Sequence, residues 1–179
     1  DNVRSSAASA LGNLGNSSEN VISALIKALE DKDSFVRSNV ALALDNLGKS
    51  SEDAISALIK TLESDDGHVR YYAVEALGSL GKSSDNVISA LIKALGDKES
   101  YVRSNAAEAL GKIGKSSADV ISTLIKALGS DDDNVRSSAA SALGKIGNSS
   151  DDVISALIKA LGDDNDNVRY YAVEALGSL

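Results

Sequence analysis

The sequence predicts an all-α protein, an α-solenoid of stacked helix pairs, on three observations. The dipeptide Val-Arg stands at Val3, Val36, Val69, Val102, Val135 and Val168, a spacing of 33 residues each time with no insertion or deletion. Each interval carries two apolar patterns of helical period with a glycine between them. Proline is absent throughout, which suits uninterrupted helices. The 179 residues therefore divide into repeats 1–33, 34–66, 67–99, 100–132 and 133–165 and a half-repeat 166–179, expected to form one solenoid domain, 1–179.

In each repeat the first helix comes from a segment such as "NVRSSAASALGNLG". There Val3, Ala7, Ala10, Leu11 and Leu14 fall on one helical face. Gly15, Gly48, Gly81, Gly114 and Gly147 are placed to close the first helices. "NSS" or "KSS" follows and offers a serine N-cap, with acidic residues such as Glu19, Glu52, Asp85, Asp119 and Asp151 in the next turn, where the helix dipole favours them. The second helix, "VISALIKAL", buries Val21, Ile22, Leu25, Ile26 and Leu29 in the first copy. An acidic turn then leads on, with Asp33, Asp66, Glu99, Asp132 and Asn165 expected as N-caps. One such pair cannot hide both apolar stripes, so contact between neighbouring pairs must hold the array together.

Composition limits the chemistry. The core can only be aliphatic, because the chain has one Phe, five Tyr and no Trp, Met or Cys. Without cysteine there is no disulfide framework or thiolate site, which is compatible with the cytoplasm. A net charge of −8 argues against a phosphate-backbone partner, so no nucleic acid is expected. No apolar run long enough for a membrane appears, and no membrane partner is expected. The missing initiator Met and the stop at Leu179 read as part of a longer chain. The aliphatic faces left at the two ends suggest head-to-tail association as another possibility.

The copies "VRSSAASALGNLG", "VRYYAVEALGSLG" and "VRSNAAEALGKIG", each followed by "VISALIKAL" or a close variant, resemble HEAT-like repeats of the phycobilisome-lyase class. They are also similar to consensus arrays engineered from those repeats. The resemblance covers the whole chain and implies a scaffold fold; a bilin-lyase-like enzyme that binds a tetrapyrrole is the alternative it brings. One departure is that Asp33-Ser34 and Asp66-Gly67 stand where that family has Asp-Pro. The Thr-Pro-Leu-His turn of ankyrin repeats is missing.

Six internal copies separate what the stack requires from what it tolerates. All six arginines, Arg4, Arg37, Arg70, Arg103, Arg136 and Arg169, follow the constant valine. They are expected to form a structural ladder with carboxylates of the acidic turn four residues before or of a neighbouring repeat. Lys27, Lys60, Lys93, Lys126 and Lys159 recur on the second helices and read as a solvated face. Variation gathers on the first helices, one residue before the valine and two, three, six and ten after it. That stripe includes Phe35, Asn39, Leu42, His68, Tyr71, Tyr72, Glu75, Tyr101, Asn105, Glu108, Tyr170 and Tyr171, our candidate partner-binding residues. It holds every aromatic residue and the one histidine. Two readings stand: a surface for a protein or peptide partner, in which tyrosine gives contact area at low entropic cost, or rings that fill seams between repeats.

No catalytic residue, cofactor or metal is expected. "GKSS" lacks the earlier glycine and the preceding strand of a phosphate loop. "DDNDN" from Asp163 lacks the glycine turn of a calcium loop, and His68 has no second ligand at zinc spacing. The expected function is a non-catalytic interaction scaffold.

Overall fold

The structure is a computed structural model that describes residues 2–15, 18–48, 52–81 and 84–179. The described residues form eleven α-helices and no strand, an all-α solenoid in two compact units. The first unit, Asp1–Lys82, holds α1 (Asn2–Asn13), α2 (Glu19–Ala28), α3 (Ser34–Gly48), α4 (Glu52–Thr61) and α5 (Gly67–Ser79). The second, Ser83–Leu179, holds α6 (Asp85–Ala94), α7 (Ser100–Ile113), α8 (Ala118–Ala127), α9 (Asp133–Ile146), α10 (Asp151–Ala160) and α11 (Asp166–Ser178).

Within each unit the first helices of successive repeats lie side by side, α1–α3–α5 and α7–α9–α11, and the second helices form a second row. The core lies between the rows. Leu25, Leu29, Leu44, Leu47 and Leu58 are fully buried in the first unit, and Leu91, Leu110, Leu124, Leu143 and Leu157 in the second. At about 2 kcal/mol per buried leucine, these contacts between helices outweigh what short isolated helices supply for themselves.

The constant face is buried as its period predicts in α3, where Val36, Val40, Ala43, Leu44 and Leu47 are all under 3% exposed. Helix α1 departs from this. Its Val3 and Leu14 are 81% and 74% exposed, and its buried residues are Ser5, Ala8 and Gly12. The reason is positional: the valine face of each later first helix rests on the second helix of the repeat before it, and α1 is covered only on the flank that meets α3.

Helix starts follow the expected positions more closely than the expected bonds. Asp33, Asp66, Asp132 and Asn165 each accept a backbone N–H of the following helix, at 2.8–3.0 Å in the shortest case of each. Glu99 stands at the same position with no such bond, its side chain being one methylene longer. Among the described serines at the second-helix starts, Ser117 caps Val120, whereas Ser18, Ser84 and Ser150 occupy the cap position without a side-chain cap bond to the helix N–H groups. The cap expected at Ser51 lies outside the described residues. Gly114 and Gly147 end α7 and α9 at φ 68° and 67°, as left-handed caps require, whereas Gly48 is the last residue of α3 itself.

Glycine has a second structural use in the seams between first helices. A Cβ built on Gly12, Gly111 or Gly144 would sit 2.6–2.8 Å from the Cα of Ala43, Ala142 or Ala175. These helices therefore touch backbone to backbone. In α3 the same position holds Asp45, buried at 8% exposure, and α3 meets α5 less extensively than α1 meets α3.

Candidate functional site

The variable stripe divides once the helices stack. Positions one before and ten after the valine face outward, and so does the position six after it in α3 and α7: Phe35 is 63% exposed, Leu42 58% and Tyr101 39%, with His68, Glu108 and Lys112 also exposed. Positions two and three after the valine turn toward the adjoining first helix. Asn39 accepts a hydrogen bond from Ser9 Oγ at 3.2 Å, and the hydroxyls of Ser104 and Ser138 lie 2.9 Å apart. Ser138 Oγ also donates to Glu108 Oε1 at 3.3 Å. Asn105, expected on the open surface, is buried at 7% exposure because its position lies in this seam.

The tyrosine pairs show the same division. Tyr72 donates from its hydroxyl to the Ser34 carbonyl at 3.3 Å, and its ring lies 5.6 Å from the Arg37 guanidinium carbon. Tyr71 meets Tyr72 edge to face at 5.2 Å, and both are half-buried. This pair stands over the α3–α5 seam. Tyr170 and Tyr171 keep the same edge-to-face arrangement at 5.3 Å but are 58% and 38% exposed on α11. Glu75 is half-buried one turn beyond Tyr72.

In the second unit, α7, α9 and α11 enclose a shallow groove of about 400 Å³ on this face. Ser138 and Ser141 lie on its floor, with Glu108, Lys145 and Tyr171 around it. In the first unit the second helices α2 and α4 enclose a groove of about 880 Å³ that sequence reasoning missed. Its floor includes Ile22 and Val69, already 3% and 2% exposed, and Lys27, Lys60, Glu30 and Glu63 rim it. No residue pattern announces it.

The arginines make a regular set of contacts whose near partner is a carbonyl rather than a carboxylate. Nη1 of Arg37, Arg70, Arg103, Arg136 and Arg169 donates to the carbonyl six residues back, at 2.7–3.1 Å. The carboxylates come from the next acidic turn. Arg4 forks Asp31 at 2.6 and 3.2 Å, and Arg136 forks Asp163 at 2.8 and 2.9 Å. Arg103 reaches Asp131 at 2.9 Å. Arg169 turns instead to Asp166 in its own first turn. These guanidinium bonds hold the Asp31 carboxyl below its usual range and lower Asp163 to about 2. Arg37 differs. The residue corresponding to Asp31 and Asp163 in the turn it faces is Ser64, and its buried Nε has no hydrogen-bond partner.

Among the described residues no group of three His, Asp or Glu side chains could hold a metal, and no helix is long and apolar enough to cross a membrane. The constellation is a repeated helical surface with a few large exposed side chains. The family description for HEAT repeats matches residues 1–78, 55–144 and 88–177. The chain belongs to the HEAT-repeat family. No curated protein matches it. This HEAT-repeat chain is similar to the crystal structure of an engineered protein, at 28% identity over 97% of this chain and 89% of that one, with a TM-score of 0.56. It is also similar to the CpcE–CpcF complex of phycocyanin lyase from Nostoc sp. PCC7120, at 29% identity over 98% of this chain and 71% of that one, TM-score 0.59. A designed armadillo repeat protein in complex with the peptide (KR)4 shares the fold at 21% identity, over 97% and 91% of the two chains, TM-score 0.60.

Proposed function

We propose that this HEAT-repeat chain is a non-catalytic scaffold that binds a protein or peptide on the outward face of its first helices. The observation that carries the reading is the exposure of Phe35 and Leu42, 63% and 58%, seven residues apart on one side of α3. Neither side chain is held by the stack, whereas the core-facing residues between them, Val36 and Val40, are buried. Large apolar groups exposed at positions that vary from copy to copy are what a contact surface needs and a core does not. The designed armadillo protein with its bound peptide supports the capacity of this architecture to hold an extended ligand. The partner set is then Phe35, Leu42, His68, Tyr101, Glu108, Tyr170 and Tyr171, with Asn39, Tyr71, Tyr72 and Glu75 shaping the seam beside them.

Selection of a displayed peptide library on the purified chain tests this reading. Enriched peptides should lose binding to the Phe35→Ala, Leu42→Ala double variant and keep it when Lys27 and Lys60, on the second-helix groove, become alanine. The opposite pattern would move the site to that groove.

The similarity to phycocyanin lyase favours a second reading, a tetrapyrrole held near His68 and Tyr71. Mixing the chain with a free bilin and recording the absorption spectrum decides it. An unshifted spectrum ends that alternative.

A further inference from the structure

The outward face of the first helices in the first unit carries an uneven charge pattern. On α1, α3 and α5 there is no lysine; their basic side chains are Arg4, Arg37 and Arg70, besides His68. Arg4 is forked by Asp31, Arg37 is bonded to the Asp31 carbonyl and stacked on Tyr72, and Arg70 is buried at 5% exposure. The acidic groups lie beside the apolar anchors. Asp33 accepts the Phe35 N–H at 2.9 Å, and Asp66 accepts the His68 N–H at 2.8 Å with its side chain 52% exposed. Glu75 stands one turn beyond Tyr72. The matching face of the second unit is different, because Lys112 and Lys145 are exposed on α7 and α9.

We infer that the α3–α5 face takes a cationic peptide segment, one whose apolar side chains rest on Phe35 and Leu42 while its Lys or Arg side chains meet Asp33, Asp66 and Glu75. This rests on the scaffold reading above and names the partner class for its first unit. The two apolar anchors are about 10 Å apart along the helix, a distance that roughly three residues of extended chain span. An anionic segment placed there would meet Asp33 and Asp66 at the starts of α3 and α5 and Glu75 beyond Tyr72, against Lys32 in the turn before α3. Like-charge juxtaposition of that kind is a common way for interfaces to reject wrong partners.

The test uses two short synthetic peptides with the same leucine and tryptophan anchors, one with Lys and Arg as its polar residues and one with Glu. Each is titrated calorimetrically into the full chain at low and at physiological salt. The cationic peptide should bind, weaken as salt rises, and lose about tenfold or more in affinity with Leu42→Ala and with Glu75→Lys. Asp152→Lys, on α10 in the second unit, should leave it unchanged; circular dichroism checks that each variant is folded. Equal or tighter binding of the Glu peptide overturns the inference, as does equal weakening by Glu75→Lys and Asp152→Lys, which would mean diffuse attraction to an acidic protein. If neither peptide binds while library peptides still depend on Phe35 and Leu42, the cationic preference fails and the scaffold reading stands. Failure of both assays removes the two together.

Discussion

Arg37 has an unfinished site. Arg4 and Arg136 each fork a carboxylate 27 residues ahead, where Arg37 has Ser64 and Arg103 has Ser130; Arg103 reaches Asp131 one residue further on, whereas the Arg37 Nε is buried without a hydrogen-bond partner. A buried donor left unmade is costly, so Ser64→Asp should raise stability by about 1 kcal/mol, read from the urea midpoint. No change, or a loss, would mean that Arg37 cannot reach the new carboxylate. Asp163 supplies the converse case. Hydrogen bonding to Arg136 lowers it from an ordinary value near 3.8 to about 2, with partial burial opposing and the Asn165 N–H adding to the effect. Because the folded value is the lower one, this stabilisation is complete above the unfolded pKa and is lost as pH falls from roughly 4 to 2. Asp163→Asn should therefore cost about 1 kcal/mol at pH 7, because solvent screens part of the pairing, and almost nothing near pH 2. An equal loss at both pH values would assign the effect to packing instead. The valine–arginine repeat revealed that the arginines were structural. Which oxygen each one binds was not legible, since carbonyl contacts depend on how the turn folds and leave no trace in side-chain identity.

Each helix was legible because its apolar period survives in every copy, and the acidic caps were legible because short side chains before a helix have one common use. The serine caps were less so, since the same residue at the same position makes a cap bond at Ser117 and none at Ser84 or Ser150. Close approach of the first helices was present in the sequence as a glycine nine residues after each valine, with Asp45 as the one exception, and comparison of the copies exposes it. The contrast gives two predictions of opposite sign. Gly144→Ala must push against Ala175, whose Cα would lie 2.7 Å from the new Cβ, and should destabilise the second unit by about 1–3 kcal/mol. Asp45→Gly removes a buried carboxylate and lets α3 settle onto α5, so it should stabilise the first unit by on the order of 1 kcal/mol despite the poorer helix propensity of glycine. Chemical denaturation of the two variants beside the parent chain checks both signs. A loss in Asp45→Gly would show that the carboxylate supports this seam rather than propping it open.

For the molecule as a whole, the fold follows from period and the functional surface from departures from it. Six registered copies specify the helices, their order and the buried leucines, so the solenoid was legible throughout. The surface was legible only in part. Variation between copies located the stripe, but the residues at its edge, Asn39, Tyr72, Asn105 and Ser138, turn into the seams because a neighbouring helix lies beside them, and a single helix wheel has no neighbour. Once those are set aside, Phe35 and Leu42 are left as side chains proposed to serve contact with a partner and nothing in the fold. The direct measurement is the thermal and urea stability of the Phe35→Ala, Leu42→Ala double variant compared with Val36→Ala on the same helix. Stability should change by less than about 0.5 kcal/mol for the exposed pair and fall by about 2 kcal/mol for the buried valine. A loss for the pair as large as that for Val36→Ala would contradict it and return both side chains to the core.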